Sequence, residues 1–142
     1  GYEMTLTYNT TDGSLVVEVA QLSGMYIYAN FTKDWAAMTP ENEEKTSWSI
    51  IGTGAQLTPG WGPIYGINTE RAYNDDTYRA LGDGSTNIAS FGTAVNMLQQ
   101  SKGGDGSKNV EISAPLVVDK NYKLIFTVLD DGKGTIKLVE AE

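Results

Sequence analysis

The sequence predicts an all-β, immunoglobulin-like β-sandwich of about seven to eight strands with one long irregular, aromatic-rich excursion. Apolar residues recur in short segments with a two-residue period, which is typical of strands. Sixteen glycines against four prolines separate these segments, as expected for an all-β protein with many turns. An Asp-Gly pair inside each end segment indicates a hairpin turn. We interpret residues 1–142 as a single β-sandwich domain with no internal repeat and no dividing linker.

The first half of the chain supplies a hairpin and two further strands. "YEMTLTYNTTDGSLVVEVAQL" alternates on both sides of Asp12-Gly13, two residues that tolerate positive φ. Residues 24–31, "GMYIYANF", have two apolar faces and predict a central strand. The polar segment "TKDWAAMTPENEEK" is expected to be a loop, with Trp35 buried as a cap on the core. "TSWSIIG" predicts another strand, and Trp48 on it is expected to be buried.

The second half is less regular until its last hairpin. We expect irregular structure from about residue 53 to residue 87. In "SFGTAVNMLQQ" the apolar spacing fits one helical face, but Gly92 and Val95 weaken that interpretation, so the element stays open. "VEISAPLVV" predicts a strand, and "NYKLIFTVLDDGKGTIKLVE" predicts a hairpin that turns at Asp131-Gly132.

Composition excludes several function classes. A net charge of −8 argues against a nucleic-acid partner, whose phosphates require clustered Lys and Arg. The chain has no cysteine and no histidine, which removes disulfides, thiolate metal sites, the usual zinc ligand and every Ser-His-Asp hydrolase. No apolar run approaches the ~20 residues of a membrane helix. We therefore expect a protein without a transmembrane segment, a cofactor or an enzymatic activity.

The excursion over residues 59–79, "PGWGPIYGINTERAYNDDTYR", is the main candidate site. Large aromatic side chains alternate there with groups that donate or accept hydrogen bonds, a combination that fits sugars, whose C–H faces stack on rings. The predicted ligand-binding residues are Trp61, Tyr65, Arg71, Tyr73, Asn74, Tyr78 and Arg79. The alternative is that these rings plug an open end of the sandwich. Displayed rings are favoured, because long irregular loops are often functional, and Trp61 is expected to be partly accessible.

Three acidic groups could in principle carry chemistry. "PENEEK", Asp75-Asp76 and "LDDGKG" each place carboxylates close together, and a glycosidase needs two acids at a suitable separation. The first group is better interpreted as a solvated loop and the last as turn chemistry. A calcium site is a weaker alternative, because no D-x-D-x-D-G spacing occurs. We expect no metal requirement for folding.

Several short motifs carry a family resemblance over roughly residues 25–140. "MYIYANFTKDW", then "SWSIIGTG" and "PGW", and finally "APLVVDKNYKLIFTVLDDGKGTIKLVE", resemble SusE/SusF-type outer-membrane lipoproteins of Bacteroidetes glycan-utilisation systems. The resemblance implies β-sandwich modules on the extracellular side of the outer membrane that bind glycan without cleaving it. It implies a signal peptide and lipid anchor outside residues 1–142, and other outer-membrane glycan-uptake proteins as partners. Trp61 falls on the Gly-Trp loop and Trp48 on the core strand.

The leading hypothesis is non-catalytic binding of a polysaccharide or oligosaccharide at the cell surface. A structural or protein-interaction module of the adhesin type is the alternative, because Tyr and Trp are also preferred at protein interfaces. A small glycosidase is the weakest hypothesis, since no convincing acid pair occurs.

Overall fold

A computed structural model of the protein describes residues 2–21, 24–58, 62–100 and 109–141. The described residues form strands, turns and loops without a helix, so the all-β prediction is confirmed. Nothing in these four ranges has the length and apolar character of a membrane-crossing helix. Trp61, with its predicted partial accessibility, lies outside the described residues.

The described ranges contain thirteen strands, several of them only two or three residues long. They are β1 (Tyr2–Tyr8), β2 (Leu15–Gln21), β3 (Tyr26–Ala29), β4 (Ala36–Ala37), β5 (Thr39–Pro40), β6 (Ser47–Thr53), β7 (Ile64–Asn68), β8 (Tyr78–Ala80), β9 (Asn87–Ile88), β10 (Val95–Gln99), β11 (Glu111–Ile112), β12 (Asn121–Val128) and β13 (Lys133–Glu140). This number exceeds the seven to eight predicted, because short strands leave little periodic signal in the sequence.

Nine of these strands form one antiparallel sheet in the order β4-β3-β7-β8-β10-β13-β12-β6-β5. Its two edge strands, β4 and β5, are consecutive in the chain and are separated only by Met38. Since neighbouring Cα atoms are 3.8 Å apart, the two edges of the sheet must approach each other. The sheet therefore folds over on itself and encloses one apolar face, which makes the architecture sandwich-like.

The enclosed face is the hydrophobic core. Every second residue is buried in β3, over residues 122–126 of β12 and over residues 134–138 of β13, as a two-residue period requires. Trp48 on β6 is buried opposite Phe126 on β12, so its predicted core position is confirmed. The residues without solvent exposure include Ile27, Ile64, Ile67, Ile88, Leu124, Phe126, Ile136 and Leu138.

The prediction of irregular structure from about residue 53 to residue 87 is wrong in part, because β7 and β8 lie inside this range and β9 begins at its end. Ile64 and Ile67 of β7 both face the core although they are three residues apart. A register shift in the pairing of β7 with β3 inserts one extra residue and breaks the two-residue period. The sequence of β7 therefore lacks the regular alternation by which a strand is predicted.

Three further segments show the limits of the sequence pattern: one that it left open and two that differ from expectation. Val95–Gln99 is strand β10 rather than a helix, since it pairs on both sides with β8 and β13. The loop expected after residue 31 contains the two edge strands β4 and β5. Strand β11 covers only Glu111–Ile112 of the predicted "VEISAPLVV" strand. Tertiary pairing, which local pattern does not report, decides these three segments.

Both predicted hairpins are confirmed, and both turn where expected. Gly13 has a φ of 73° and Gly132 a φ of 71°, with Asp131 also at positive φ. The hairpin β12–β13 lies inside the nine-stranded sheet, whereas β1–β2 forms a separate two-stranded sheet.

Candidate aromatic binding surface

Four aromatic side chains gather beside the β3–β7 pair, and we call them the aromatic cluster: Tyr28, Trp35, Tyr65 and Tyr73. The Tyr28 ring centroid lies 5.6 Å from that of Trp35, 5.1 Å from that of Tyr65 and 5.9 Å from that of Tyr73. Trp35 and Tyr73 are 5.1 Å apart. Three of these four pairs meet edge to face, the arrangement that the quadrupoles of aromatic rings favour.

The alternation of β3 places the cluster on the side of the sheet away from the core. Ile27 and Ala29 are fully buried in the core, and Tyr28 between them points to the opposite face. On β7, Gly66 pairs with Tyr28 while Ile64 pairs with Ala29, so Tyr65 is the extra residue of the bulge. The bulge turns Tyr65 toward Tyr28.

Gly66 is required for close packing in the cluster. A Cβ atom at this position would lie 2.8 Å from Cγ2 of Thr77, 3.2 Å from Cε1 of Tyr73 and 3.7 Å from the Trp35 ring. The absence of a side chain therefore lets the Tyr73 ring lie directly against the strand.

The rings differ in exposure. Trp35 is buried as predicted, but its ring partners are Tyr28 and Tyr73 rather than residues of the main core. Tyr28, Tyr65 and Tyr73 are half-buried, so each retains surface that a ligand can contact. Burial raises the pKa of the Tyr73 phenol above its usual value, and the Arg79 cation partly opposes that shift. The phenol is neutral at physiological pH.

Arg79 on β8 is a buried cation next to the cluster, with 5% of its surface exposed. Its Nε donates to the carbonyl of Tyr65 at 3.1 Å, and its Nη2 donates to Oδ1 of Asn109 at 3.2 Å. The guanidinium carbon lies 5.8 Å from the centroid of the Tyr73 ring. Nη1 is buried without a hydrogen-bond partner. Within the described ranges the ion pairs join Lys120 to Glu140 and Lys123 to Glu41, so no carboxylate there neutralises Arg79.

Asn74, a predicted ligand-binding residue, holds the loop that carries Tyr73. Its Oδ1 accepts hydrogen bonds from Nδ2 of Asn68 at 3.1 Å and from the amide of Asp76 at 2.9 Å. Its Nδ2 donates to Oε2 of Glu70 at 3.2 Å. The Asn74 side chain is thus engaged inside the loop, and its contribution to a surface is to position Tyr73.

Two further predicted residues differ in exposure, one being buried and the other exposed. Tyr78 points into the core, where its ring centroid lies 4.8 Å from that of Phe126, so its prediction as a displayed ligand-binding ring is wrong. Neighbouring strand residues point to opposite faces, which is why Arg79 reaches the cluster and Tyr78 does not. Arg71 is exposed, and its guanidinium carbon lies 4.9 Å from the centroid of the half-buried Tyr26 ring.

The structure thus brings Tyr65, Tyr73 and Arg79 together and adds Tyr28 and Trp35, neither of which is among the predicted ligand-binding residues. The alternation in "MYIYANF" places Tyr26 and Tyr28 opposite the apolar face, and that pattern is the signal that could have revealed Tyr28. No local sequence pattern predicts that Tyr28 contacts Tyr73, because this contact depends on the β-bulge in β7 and on the loop that carries Tyr73.

The acidic side chains considered as possible catalytic groups make contacts that belong to the fold. Glu41 accepts a hydrogen bond from the Ser49 hydroxyl and lies 3.3 Å from Nζ of Lys123. The Ser49 hydrogen bond, and to a smaller extent Lys123, hold the pKa of Glu41 below its usual value. Asp131 occupies the hairpin turn, as predicted. The described residues contain no group of three or more acidic side chains placed to share a metal ion.

Comparison of the chain with protein-family models, with curated proteins and with solved structures finds no match.

Proposed function

We propose that this protein binds a polysaccharide or oligosaccharide, without cleaving it, on the aromatic cluster. The observation that carries the proposal is the convergence of three half-buried tyrosine rings on one face, next to a buried arginine. Pyranose rings present C–H faces that stack on aromatic side chains, and their hydroxyl groups pair with planar donors and acceptors. The motifs that resemble those of SusE/SusF-type lipoproteins support a place at the cell surface, on the extracellular side of the outer membrane.

Each residue of the surface has a separate role in this proposal. Tyr28, Tyr65 and Tyr73 supply the stacking faces, and their hydroxyl groups contact sugar hydroxyls. Trp35, which is buried, packs against the Tyr28 and Tyr73 rings and holds them in position. Arg79 acts as a positioning residue through its hydrogen bond to the Tyr65 carbonyl.

The surroundings of the Glu41 and Asp131 carboxylates also favour binding without catalysis. Glu41 is engaged by Ser49 and Lys123, and its lowered pKa opposes the protonation that a general acid requires. Asp131 is committed to a turn. The proposal therefore includes no catalytic residue.

The test is a panel of soluble polysaccharides and oligosaccharides in affinity gels, followed by calorimetry with any glycan that retards the protein. Tyr65→Ala is expected to weaken binding by at least about fivefold, because one stacked ring contributes about 1–3 kcal/mol. Tyr65→Phe keeps the stacking face and is expected to lose less. Tyr8→Ala is the matched control, since Tyr8 is exposed on the separate β1–β2 sheet. Binding to no glycan of the panel, or undiminished binding by Tyr65→Ala, contradicts the proposal.

A protein-interaction role is the second candidate, and a different surface favours it. The β1–β2 hairpin exposes several large apolar side chains, which monomeric proteins usually cover. This role does not exclude glycan binding, because the hairpin and the aromatic cluster belong to different sheets.

A further inference from the structure

The β1–β2 hairpin has apolar residues that the nine-stranded sheet does not cover. Leu6 is 62% exposed, Leu15 59% and Val17 52%. Leu6 and Val17 are directly opposite each other, and Tyr8 and Leu15 form the next pair on the same face. A two-stranded sheet in water is marginally stable by itself. This face therefore requires a partner surface.

The β12–β13 hairpin, which we call the closing hairpin, matches β1–β2 in register. Leu6 pairs with Val17 as Phe126 pairs with Ile136. In each hairpin a tyrosine lies four residues before the first member of this pair. Tyr2 pairs with Gln21, and Tyr122 pairs with Glu140. The segments between the last paired residues of each hairpin, residues 9–14 and 129–133, differ in length by one residue, and each contains an Asp-Gly pair whose glycine has a φ near 70°.

Side-chain sizes at two matching positions of the hairpins also change in opposite directions. In the closing hairpin the Phe126 ring lies over Gly134, where an added Cβ atom would be 2.7 Å from Cε1 of the ring. In β1–β2 the corresponding positions are Leu6 and Leu15, a smaller residue in place of Phe and a larger one in place of Gly. The two changes in size therefore oppose each other at neighbouring positions of the same face.

The closing hairpin shows what this face packs against. Leu124, Phe126, Ile136 and Leu138 are fully buried. The outer edge of β12 pairs with β6 and the outer edge of β13 pairs with β10. A closing hairpin thus fits between two strand edges of a sandwich and completes its core.

We propose that β1–β2 is the closing hairpin of a second β-sandwich module of this same kind, one whose sheet lacks a closing hairpin of its own. The face formed by Leu6, Tyr8, Leu15 and Val17 fills the core of that module. Its strands β1 and β2 pair with the counterparts of β6 and β10. A second copy of residues 24–141 is not the partner, because its own β12–β13 already occupies that position.

The test is a graft of residues 2–21 in place of residues 122–140. If the two hairpins are equivalent, the grafted protein folds and melts cooperatively. A second graft carries Leu6→Phe and Leu15→Gly, which restores the side-chain sizes of the native closing hairpin. If neither graft melts cooperatively, the proposal is overturned.

Neighbouring residues supply the matched control. In the graft, Val17→Asp places a charge on the core face and is expected to abolish cooperative melting. Val16→Asp places the same charge on the other face and is expected to melt within about 5 °C of the graft. Equal effects of the two substitutions contradict the assignment of the faces.

Light scattering of the full chain decides between the proposed partner and a second copy. The proposal predicts no dimer held together by this face. A dimer that Val17→Asp dissociates and Val16→Asp does not would show that a second copy covers the hairpin, and it would overturn the proposal.

Discussion

Replacement of Tyr73 by alanine tests whether its ring is displayed to a ligand or is needed for the stability of the fold. The half-buried ring packs against Tyr28, Trp35 and the backbone at Gly66, with Arg79 nearby. Truncation of a fully buried large aromatic residue costs about 3–5 kcal/mol. For a half-buried ring we expect about half of that, near 2 kcal/mol. A displayed ring, which the sequence pattern favours at this position, would cost little when truncated, and the packing of Tyr73 in the cluster raises the expected cost.

The assay is thermal unfolding followed by near-ultraviolet circular dichroism. For a domain of this size 1 kcal/mol lowers Tm by about 3–4 °C, so Tyr73→Ala should lower it by about 6–8 °C. Tyr8→Ala is the control, because Tyr8 is 64% exposed, and its Tm should change by less than about 2 °C. Since domains have ~5–15 kcal/mol of stability, Tyr73→Ala remains folded at 25 °C and its glycan affinity can be measured there.

Three results would refute this reasoning in different ways. A Tm equal to that of Tyr8→Ala would mean that the ring makes no stabilising contacts and is simply displayed. A protein that is unfolded at 25 °C would make Tyr73 an essential part of the core. A folded variant that binds glycan as well as its parent would place the binding site elsewhere.

Three further predictions concern the fold and its chemistry. Gly54→Ala should destabilise the protein by about 1–3 kcal/mol in urea unfolding, because its Cβ would lie 2.0 Å from the carbonyl oxygen of Val117, whereas Gly82→Ala, with open space around it, should change little. Burial raises the pKa of Tyr78, so the folded state holds this proton more tightly than the unfolded state, and stability is lost as pH rises above ~10. Tyr78→Phe should therefore lose less stability than the parent in melts between pH 9 and pH 11, and an equal loss would contradict this. Melts with and without EDTA should coincide, and a drop of many degrees on chelation would indicate a bound cation.

The elements that the sequence predicted correctly are those whose signal is local. The Asp-Gly turns at Gly13 and Gly132 require only the conformational freedom of the turn residues. Trp48 could be assigned to the core because it stands in a strongly apolar strand. The absence of histidine and cysteine removed whole classes of chemistry without any knowledge of the fold.

The sequence by itself thus determined the fold class, the two hairpin turns and the function classes that the composition excludes. The tertiary structure alone decided that Val95–Gln99 is a strand, because β8 and β13 supply its hydrogen-bond partners. It also decided which aromatic residues meet. Tyr78 and Arg79 are adjacent in the chain, yet one enters the core and the other reaches the cluster, since strand residues alternate between faces. Tyr28 meets Tyr65 only through a one-residue bulge, and such a register shift depends on the partner strand rather than on local sequence.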